Sequence, residues 1–278
     1  AIEFILMGGR FIVEDGPARI ALIGADVTMS VDGIAVAPDT SITVQSGQSV
    51  DIGAARTGTF FYCAVAGGFN VKPALGSLSL HNRTGIGGYQ GRVLQSGDQI
   101  SLRGASITGA EQRITAAFAH HAGPLRVILG PQEDHFTQAG IATFLSAPYT
   151  ISANADRMGF RLTGAKIAHN EKGYNIVSDG IASGGIQVPG SGEPIVLLAD
   201  KQTTGGYPKI ATVISADLAR LAQMRPGGIV HFEAVTRAQA VDALKAYHAA
   251  IAKARESIRA VGGAILDSSE LLALNLVD

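Results

Sequence analysis

The chain has 278 residues, of which 46% are hydrophobic and 16% charged, and its formal net charge is −1. It is long enough for one large domain or two of ordinary size. The near-zero charge and the lack of a basic stripe argue against a nucleic-acid partner, and no apolar stretch approaches the ~18 residues of a membrane span. The single cysteine, Cys63, has no partner for a disulfide or a zinc site. We therefore expect a buried thiol, no metal site and a cytoplasmic, reducing location.

The first segment, residues 1–113, is predicted to be a β unit. It begins with a strand-like stretch, so we expect a further N-terminal segment to precede it. The turn signals Asp32-Gly33 and Ser46-Gly47 predict hairpins, as does Ser96-Gly97-Asp98. Many short strands with almost no helical period are typical of a barrel or sandwich. Strands are predicted over 1–7, 10–14, 19–23, 27–31, 34–36, 41–44, 49–52, 59–66, 93–94 and 100–102.

The second segment, residues 114–235, is predicted to combine strands with two short helices. Thr137 can cap a helix that Pro148 ends, and a second helix is predicted over 216–223. The run 195–199 is apolar throughout, which is typical of a strand buried on both faces. The other predicted strands are 126–129, 149–152, 160–162, 176–177, 210–214 and 229–232.

The last segment, residues 236–278, is predicted to be an amphipathic helix with a tail. Thr236-x-x-Gln239 is a capping box. Apolar residues then recur at helical spacing as far as Val261, and Gly262-Gly263 should end the helix. We expect this apolar stripe to pack on the chain or on a partner protein. The leucine-rich end, 271–276, predicts a docking strip.

The loop after the buried run 195–199 is the best candidate for chemistry. It places charged, amide, hydroxyl and aromatic groups beside two adjacent glycines, between Asp200 and Lys209. Glycines let the backbone turn tightly and let its N–H groups approach a ligand. The alternative is a strand connection whose polar groups satisfy its own backbone, and the residues alone do not choose between the two.

Two short patterns occur in both halves of the chain. Gly87-Gly88-Tyr89, followed by Arg92, resembles Gly205-Gly206-Tyr207, followed by Lys209. Residues 95–100 likewise resemble residues 224–230. Because both patterns keep their order, they predict two related β units whose loops line one cleft.

Longer strings make the chain similar to the biotin-dependent carboxyltransferase family. This family includes the C component of bacterial ATP-dependent 5-oxoprolinase, also called allophanate hydrolase subunit 2, and the carboxyltransferase half of urea carboxylase. The resemblance implies a mainly β fold of two cyclophilin-like β-barrel units with short helices. Family members also carry an N-terminal segment that nothing here matches. The matching strings are Gly67-Gly68, Gly76-Ser-x-Ser79, Arg83-x-Gly85-x-Gly87-Gly88-Tyr89-x-Gly91-Arg92, Gly130-Pro-Gln-x-Asp-His-Phe136, Asp156-Arg-Met-Gly159, Ser178-Asp-Gly180, Gly185-Ile-Gln-Val-Pro-Gly190 and the run 198–212.

For the chemistry that this resemblance implies, the loop offers positive charge and hydrogen-bond donors. Lys201 and Lys209 could supply the charge, although Lys201 stands where the family leads us to expect arginine. The N–H groups of Gly205 and Gly206 could donate to an oxyanion. Tyr207 could donate a proton or stack on a flat ring. Further candidates for substrate binding are Gln187, Gln202, Thr203, Thr204, Arg83 and Tyr89.

The general base is left open between two candidates. Asp179 could serve, or Asp134 together with His135. The competing interpretation of His135 is a hydrogen-bonded core histidine that caps the helix after it. Arg157 could pair with a substrate carboxylate or simply with a neighbouring Asp.

Three functional hypotheses follow. The first is the C component of a 5-oxoprolinase complex that converts 5-oxoproline, a small amide substrate, to L-glutamate, with the smaller B component and possibly a third, the A component, as partners. The complex would use ATP, but no phosphate-binding loop supports ATP binding by this chain alone. The second is a biotin-dependent carboxyltransferase acting on urea or a related amide. It would take carboxybiotin from a separate carrier, because this chain has no biotin-attachment Met-Lys string. The third is a non-catalytic regulatory module that binds a partner.

Overall fold

A computed structural model gives the fold and describes residues 1–104, 107–116 and 118–261. These residues contain 20 strands and three α-helices, so the predicted mainly β fold class is confirmed. The chain divides into two compact units, residues 1–117 with 253–278, and residues 118–252. The predicted domain limits near 113 and 235 stay a prediction.

The first unit is built from two four-stranded sheets and a two-stranded ribbon. Its described strands are β1 (Ile2–Ile5), β2 (Arg10–Ile12), β3 (Ala18–Asp26), β4 (Met29–Val31), β5 (Ile34–Ala35), β6 (Ser41–Val44), β7 (Ser49–Ile52), β8 (Thr57–Val65), β9 (Gln112–Ile114) and β20 (Ile258–Ala260). One sheet has the order β1-β8-β3-β6, the other has the order β2-β7-β4-β5, and β9 pairs with β20.

Alternating side chains build the core of the first unit. In β7, Val50 and Ile52 are buried whereas the alternate residues Ser49 and Asp51 are half-buried, as a strand period of two requires. Phe61 and Cys63 on β8 lie in the same core. Cys63 is 1% exposed, which confirms the predicted buried thiol, and this burial raises the pKa of the thiol to about 11.

The three hairpins predicted in this unit have different outcomes. β4 and β5 pair directly around Asp32-Gly33, whose φ angles of 48° and 81° fit the tight turn that joins twisted strands. The hairpin predicted at Ser46-Gly47 is wrong, because β6 and β7 belong to different sheets and the turn only joins them. The hairpin predicted at 96–98 is also wrong, because residues 93–100 form no strand and Leu102 makes only an isolated bridge to Phe69.

The second unit contains an eight-stranded sheet and a short ribbon. Its strands are β10 (Leu125–Leu129), β11 (Tyr149–Ile151), β12 (Gly159–Gly164), β13 (Asp179–Gly180), β14 (Gly185–Gln187), β15 (Ile195–Leu197), β16 (Thr204–Gly205), β17 (Lys209–Val213), β18 (Ile229–Val230) and β19 (Phe232–Ala234). The sheet has the order β18-β11-β12-β15-β14-β17-β10-β19, and β13 pairs with β16. Its interior is filled by residues such as Phe144, Ile186 and Val196.

The ends of this sheet lie next to each other in the chain. The edge strands β18 and β19 are separated by His231 alone. A sheet whose two edges are adjacent must curl into a nearly closed barrel. The single strand predicted over 229–232 is therefore wrong, because the chain passes there from one edge to the other. The strand predicted at 176–177 is also wrong, because the strand in this region is β13, which begins at Asp179.

The helices with capping signals begin where those signals predict, but the last one ends earlier than predicted. α1 (Gln138–Ser146) begins after Thr137, whose hydroxyl accepts the Gly140 N–H, and α2 (Ser215–Ala222) lies where a helix was predicted. α3 (Arg237–Glu256) begins at the predicted capping box. It was predicted to reach 261, which is wrong because residues 258–260 form β20 instead. The predicted docking strip at 271–276 lies outside the described residues.

Candidate functional site

A short ribbon brings the two candidate stretches of the second unit together. β13 and β16 pair antiparallel, with Asp179 opposite Gly205 and Gly180 opposite Thr204. Backbone hydrogen bonds continue the ribbon on both sides, from the Ile181 N–H to the Thr203 carbonyl and from the Ile176 N–H to the Gly206 carbonyl. The polar loop is therefore held against residues 176–181 by its backbone.

The barrel places two further candidates beside this ribbon. Gln187 at the end of β14 pairs with Lys209 at the start of β17, where the register shifts after Ile186. Such a bulge re-aims side chains at the end of a ladder. The Gln187 side-chain amide donates to the Tyr207 carbonyl at 3.2 Å and thereby ties the loop to the barrel.

An ion pair forms the centre of the arrangement. Lys209 Nζ lies 2.8 Å from Asp179 Oδ2, and the Gln132 side-chain amide donates to the same oxygen at 3.1 Å. Gln132 also accepts from the Lys209 backbone N–H at 3.2 Å. We call Gln132, Asp179, Gln187 and Lys209 the Lys209 cluster.

The charges of the Lys209 cluster are set by these contacts. Hydrogen bonds from Lys209, then from Gln132 and from the Gly180 N–H, hold the pKa of Asp179 below its ordinary value. Asp179 is therefore a carboxylate at neutral pH and a weak general base. It is better suited to accept a hydrogen bond or to hold a cation in place.

Burial decides which of these groups a ligand can reach. Gln187 is 2% exposed and the Lys209 side chain 4% exposed, whereas the Asp179 side chain is 53% exposed. Tyr207 is 41% exposed. In this structure a ligand would meet Asp179 and Tyr207 directly, with Lys209 behind the carboxylate.

The remaining loop candidates are less involved in the cluster. Gln202, Thr203 and Thr204 are exposed, and Lys201 is half-buried with no ion pair among the described residues. Gly205 is packed tightly, because a methyl group there would lie 2.6 Å from Gln187 Nε2. The role predicted for the glycine N–H groups as oxyanion donors stays a prediction.

His135 and Arg157 are held by partners within the chain. His135 Nδ1 lies 3.1 Å from the Gly173 carbonyl, an arrangement in which the ring nitrogen donates, while neighbouring Asp134 pairs with Lys172 instead. The interpretation of His135 as a hydrogen-bonded structural residue fits this geometry. Arg157 forms a two-pronged ion pair with Asp200, at 2.9 and 3.1 Å.

Two predicted site residues belong to the first unit. Arg83 is exposed in a loop, and the Tyr89 hydroxyl donates to the Gln99 carbonyl at 2.9 Å. The cleft predicted to join loops of both units stays a prediction.

Sequence reasoning missed Gln132 as a site residue. It lies in the string Gly130-Pro-Gln, directly after β10, and that string carried only a family resemblance. The signal that could have found it is its position at the end of a buried strand, where side chains project beyond the sheet.

No helix among residues 1–104, 107–116 and 118–261 is long and apolar enough to cross a membrane.

Comparisons with known proteins show which family the chain resembles in sequence and in fold. Residues 1–234 match the family model of the carboxyltransferase domain, subdomains A and B. The chain is 36% identical to the C component of 5-oxoprolinase from Escherichia coli K12 over 84% of this chain and 74% of that one. It is 32% identical to a putative urea carboxylase of Emericella nidulans, over 84% of this chain but 20% of that one. The crystal structure of K. lactis urea amidolyase matches in fold, with a TM-score of 0.81 and 23% identity over 91% of this chain and 16% of that one.

Proposed function

Because the chain belongs to the carboxyltransferase family with subdomains A and B, we propose that it is the C component of a cytoplasmic, ATP-dependent 5-oxoprolinase complex. In this reaction water adds across the lactam C–N bond of 5-oxoproline and gives L-glutamate. The smaller B component and a third, the A component, are its proposed partners.

One observation carries the proposal. The E. coli relative, which is named as the C component of 5-oxoprolinase, is aligned over 74% of its own length at 36% identity. A similarity that covers most of both chains supports a shared role better than one confined to a single motif. The urea carboxylase relative, by contrast, is matched over only 20% of its length.

The Lys209 cluster fits the chemistry of an amide. A lactam presents one N–H donor and one carbonyl acceptor, and an exposed carboxylate such as Asp179 can accept the N–H. Negative charge develops on the carbonyl oxygen as water adds, and a fixed cation near that oxygen lowers the barrier. Lys209 would supply such a cation from its position directly behind Asp179, where Asp179 and Gln132 hold it.

Reconstitution tests the proposal. The purified chain is combined with the B and A components, and glutamate release from 5-oxoproline is measured with and without ATP. We expect release that needs ATP and all three proteins, and that stops when this chain is omitted. A complete complex that releases no glutamate would contradict the proposal.

A second candidate function is favoured by a specific similarity. The match to the putative urea carboxylase at 32% identity supports a carboxyltransferase that acts on urea or a related amide. Bound carboxybiotin, brought by a separate carrier, would supply the carboxyl group for transfer. Incorporation of labelled bicarbonate that avidin blocks, without glutamate release, would favour this function over the first.

A further inference from the structure

An open cleft lies on the second unit, and its lining includes Tyr207, whose carbonyl accepts a hydrogen bond from Gln187 of the Lys209 cluster. Its volume is about 400 Å³, within the range of small-molecule sites. Arg161, Ile195 and Tyr207 line it, together with the hydroxyl-bearing side chains of Ser152 and Thr163. A flat small molecule can therefore contact an aromatic ring, a guanidinium and several hydroxyl groups at once.

The sheet register connects this cleft to the Lys209 cluster. Arg161 on β12 pairs with Ile195 on β15, and Ile195 pairs with Gln187 on β14. Directly paired residues point to the same face of a sheet, and two strand spacings separate Arg161 from Gln187 by about 10 Å. Gln187 donates to the carbonyl of Tyr207, whose side chain lines the cleft. A molecule bound at Arg161 would therefore lie next to the proposed reaction site.

Among the described residues, the guanidinium of Arg161 has no acidic partner in the cleft. Across the described parts of the chain, its guanidinium forms no ion pair and no side-chain hydrogen bond. Glu193, the acidic residue of the lining, pairs with Lys166 at 3.0 Å. The exposed Arg161 therefore offers its planar fork of donors to a ligand, and that fork matches a carboxylate.

We propose that Arg161 is the residue that binds the substrate carboxylate, and that Tyr207 packs against the substrate ring in the same cleft. The proposal rests on the proposed function, because 5-oxoproline carries a carboxylate next to its lactam whereas urea does not. It gives Arg161 a role in specificity, and the Lys209 cluster then acts on the other end of the substrate.

Two ligands and three variants test this. In the complete complex, Arg161→Gln should raise the KM for 5-oxoproline about 10- to 100-fold with a smaller change in kcat, and Arg161→Lys should raise it less. Arg237→Gln, which removes an exposed arginine outside the cleft, is the matched control and should leave KM unchanged. Calorimetry on the purified full chain should show that 2-pyrrolidinone, which lacks the carboxylate, binds more weakly than 5-oxoproline does. Arg161→Gln should not change the affinity for this neutral ligand.

The outcomes separate this proposal from the function on which it rests. Turnover by the wild-type complex with an unchanged KM for Arg161→Gln would overturn the role of Arg161 and leave the proposed function intact. If the wild-type complex is inactive, calorimetry decides. Binding of 5-oxoproline that depends on Arg161 would still support a carboxylate site, and equal binding by wild type and variant would overturn it.

Discussion

The two glycine–tyrosine segments, 87–92 and 205–209, have similar sequences and different structures. Each contains two adjacent glycines, a tyrosine and a cation that pairs with an aspartate outside the segment. For the first segment, the partner Asp98 has a side chain that is 13% exposed and the cation is 33% exposed. For the second the order is reversed, with the partner Asp179 53% exposed and the cation 4% exposed. The same residue types therefore close one loop and present a carboxylate in the other.

The first segment is tied to the residues that follow it directly in the chain. Arg92 forms two bonds of 2.7 Å with Asp98, and its guanidinium lies 5.8 Å from the centre of the Tyr89 ring. Asp98 also accepts the Gln95 backbone N–H. These contacts satisfy the charged groups locally, so the pair is a structural tie.

The second segment is tied to a barrel. Lys209 lies in β17, and its position is set by the neighbouring strands rather than by its own loop. Its partner Asp179 lies on β13, 30 residues away in the chain and opposite Gly205 of the same segment. The difference teaches that the elements flanking such a segment, more than its own residues, decide whether its ion pair encloses the carboxylate or presents it to solvent.

The largest expected effect comes from the cation of the second segment. Lys209→Met keeps the apolar stem but removes the charge, so Asp179 loses its ion-pair partner and the developing oxyanion loses its cation. We expect kcat for 5-oxoproline in the complete complex to fall about 100- to 1,000-fold. Glutamate release measures it.

The control for this variant is an exposed lysine–aspartate pair. Lys245 lies 3.4 Å from Asp242 on α3, and both side chains are 74% exposed. Lys245→Met should leave turnover unchanged. If Lys209→Met retained wild-type turnover, Lys209 would be a structural residue like Arg92, and the contrast between the segments would disappear.

Corresponding glycines of the two segments should respond differently to alanine. At Gly87, with φ of +78°, a methyl group would lie 2.2 Å from the Ser79 backbone carbonyl oxygen, so Gly87→Ala should cost about 1–3 kcal/mol of unfolding free energy. At Gly205 the nearest atom is the end of the Gln187 side chain, which can move. Gly205→Ala should therefore reduce turnover more than stability.

Urea unfolding and glutamate release, measured on both variants, check this prediction. The reverse pattern, with Gly205→Ala the less stable protein and Gly87→Ala the less active one, would contradict it.

Asp98, the partner of the cation in the first segment, should show a pH-dependent effect on stability alone. Hydrogen bonds from Arg92 and then from the Gln95 N–H lower the pKa of Asp98 from 3.8 to about 2. A carboxyl group whose pKa is lowered by folding stabilises the protein above its unfolded pKa, and this contribution is lost as the pH falls through the folded value. Asp98→Asn should therefore be less stable than wild type at pH 7, and the difference should shrink between pH 4 and pH 2.

Urea unfolding at pH 7, 4 and 2 measures this. A difference that stays constant down to pH 2 would show that the ion pair is not its cause, and a loss of turnover at pH 7 without a loss of stability would remove the contrast with Asp179.

Much of the fold could be predicted because it depends on local signals. Asp32-Gly33 specifies a two-residue turn by its own backbone preferences, and Thr137 and Thr236 specify helix starts by capping. The end of α3 could not be predicted, because the helical spacing of apolar residues continues to Val261, whereas residues 258–260 pair with β9, a strand far away in the chain. The hairpin prediction at Ser46-Gly47 was wrong for the same reason, because β6 pairs with β3 and β7 pairs with β2 instead of with each other.

The site was predicted only in part for a related reason. The family recognised in the sequence is confirmed, and its strings include Asp179, Gln187 and Lys209, which the structure brings together. Gln132 was missed because its contact with Asp179 spans 47 residues and depends on how β10 lies beside β17. Burial of Lys209 was not predictable either, since a lysine near a loop is usually exposed.

The smallest expected effect is a difference in unfolding free energy between variants of the two tyrosines, Tyr89 and Tyr207. The Tyr89 hydroxyl donates to the Gln99 carbonyl, so Tyr89→Phe should lower the unfolding free energy by about 0.5 kcal/mol, the low end of the range for one hydrogen bond. Within the described chain the Tyr207 hydroxyl has no such bond, so Tyr207→Phe should leave stability unchanged. Urea unfolding of both variants under identical conditions measures the difference. Equal losses would mean that Tyr207 is anchored as Tyr89 is, and that its exposed ring is not free to contact a substrate.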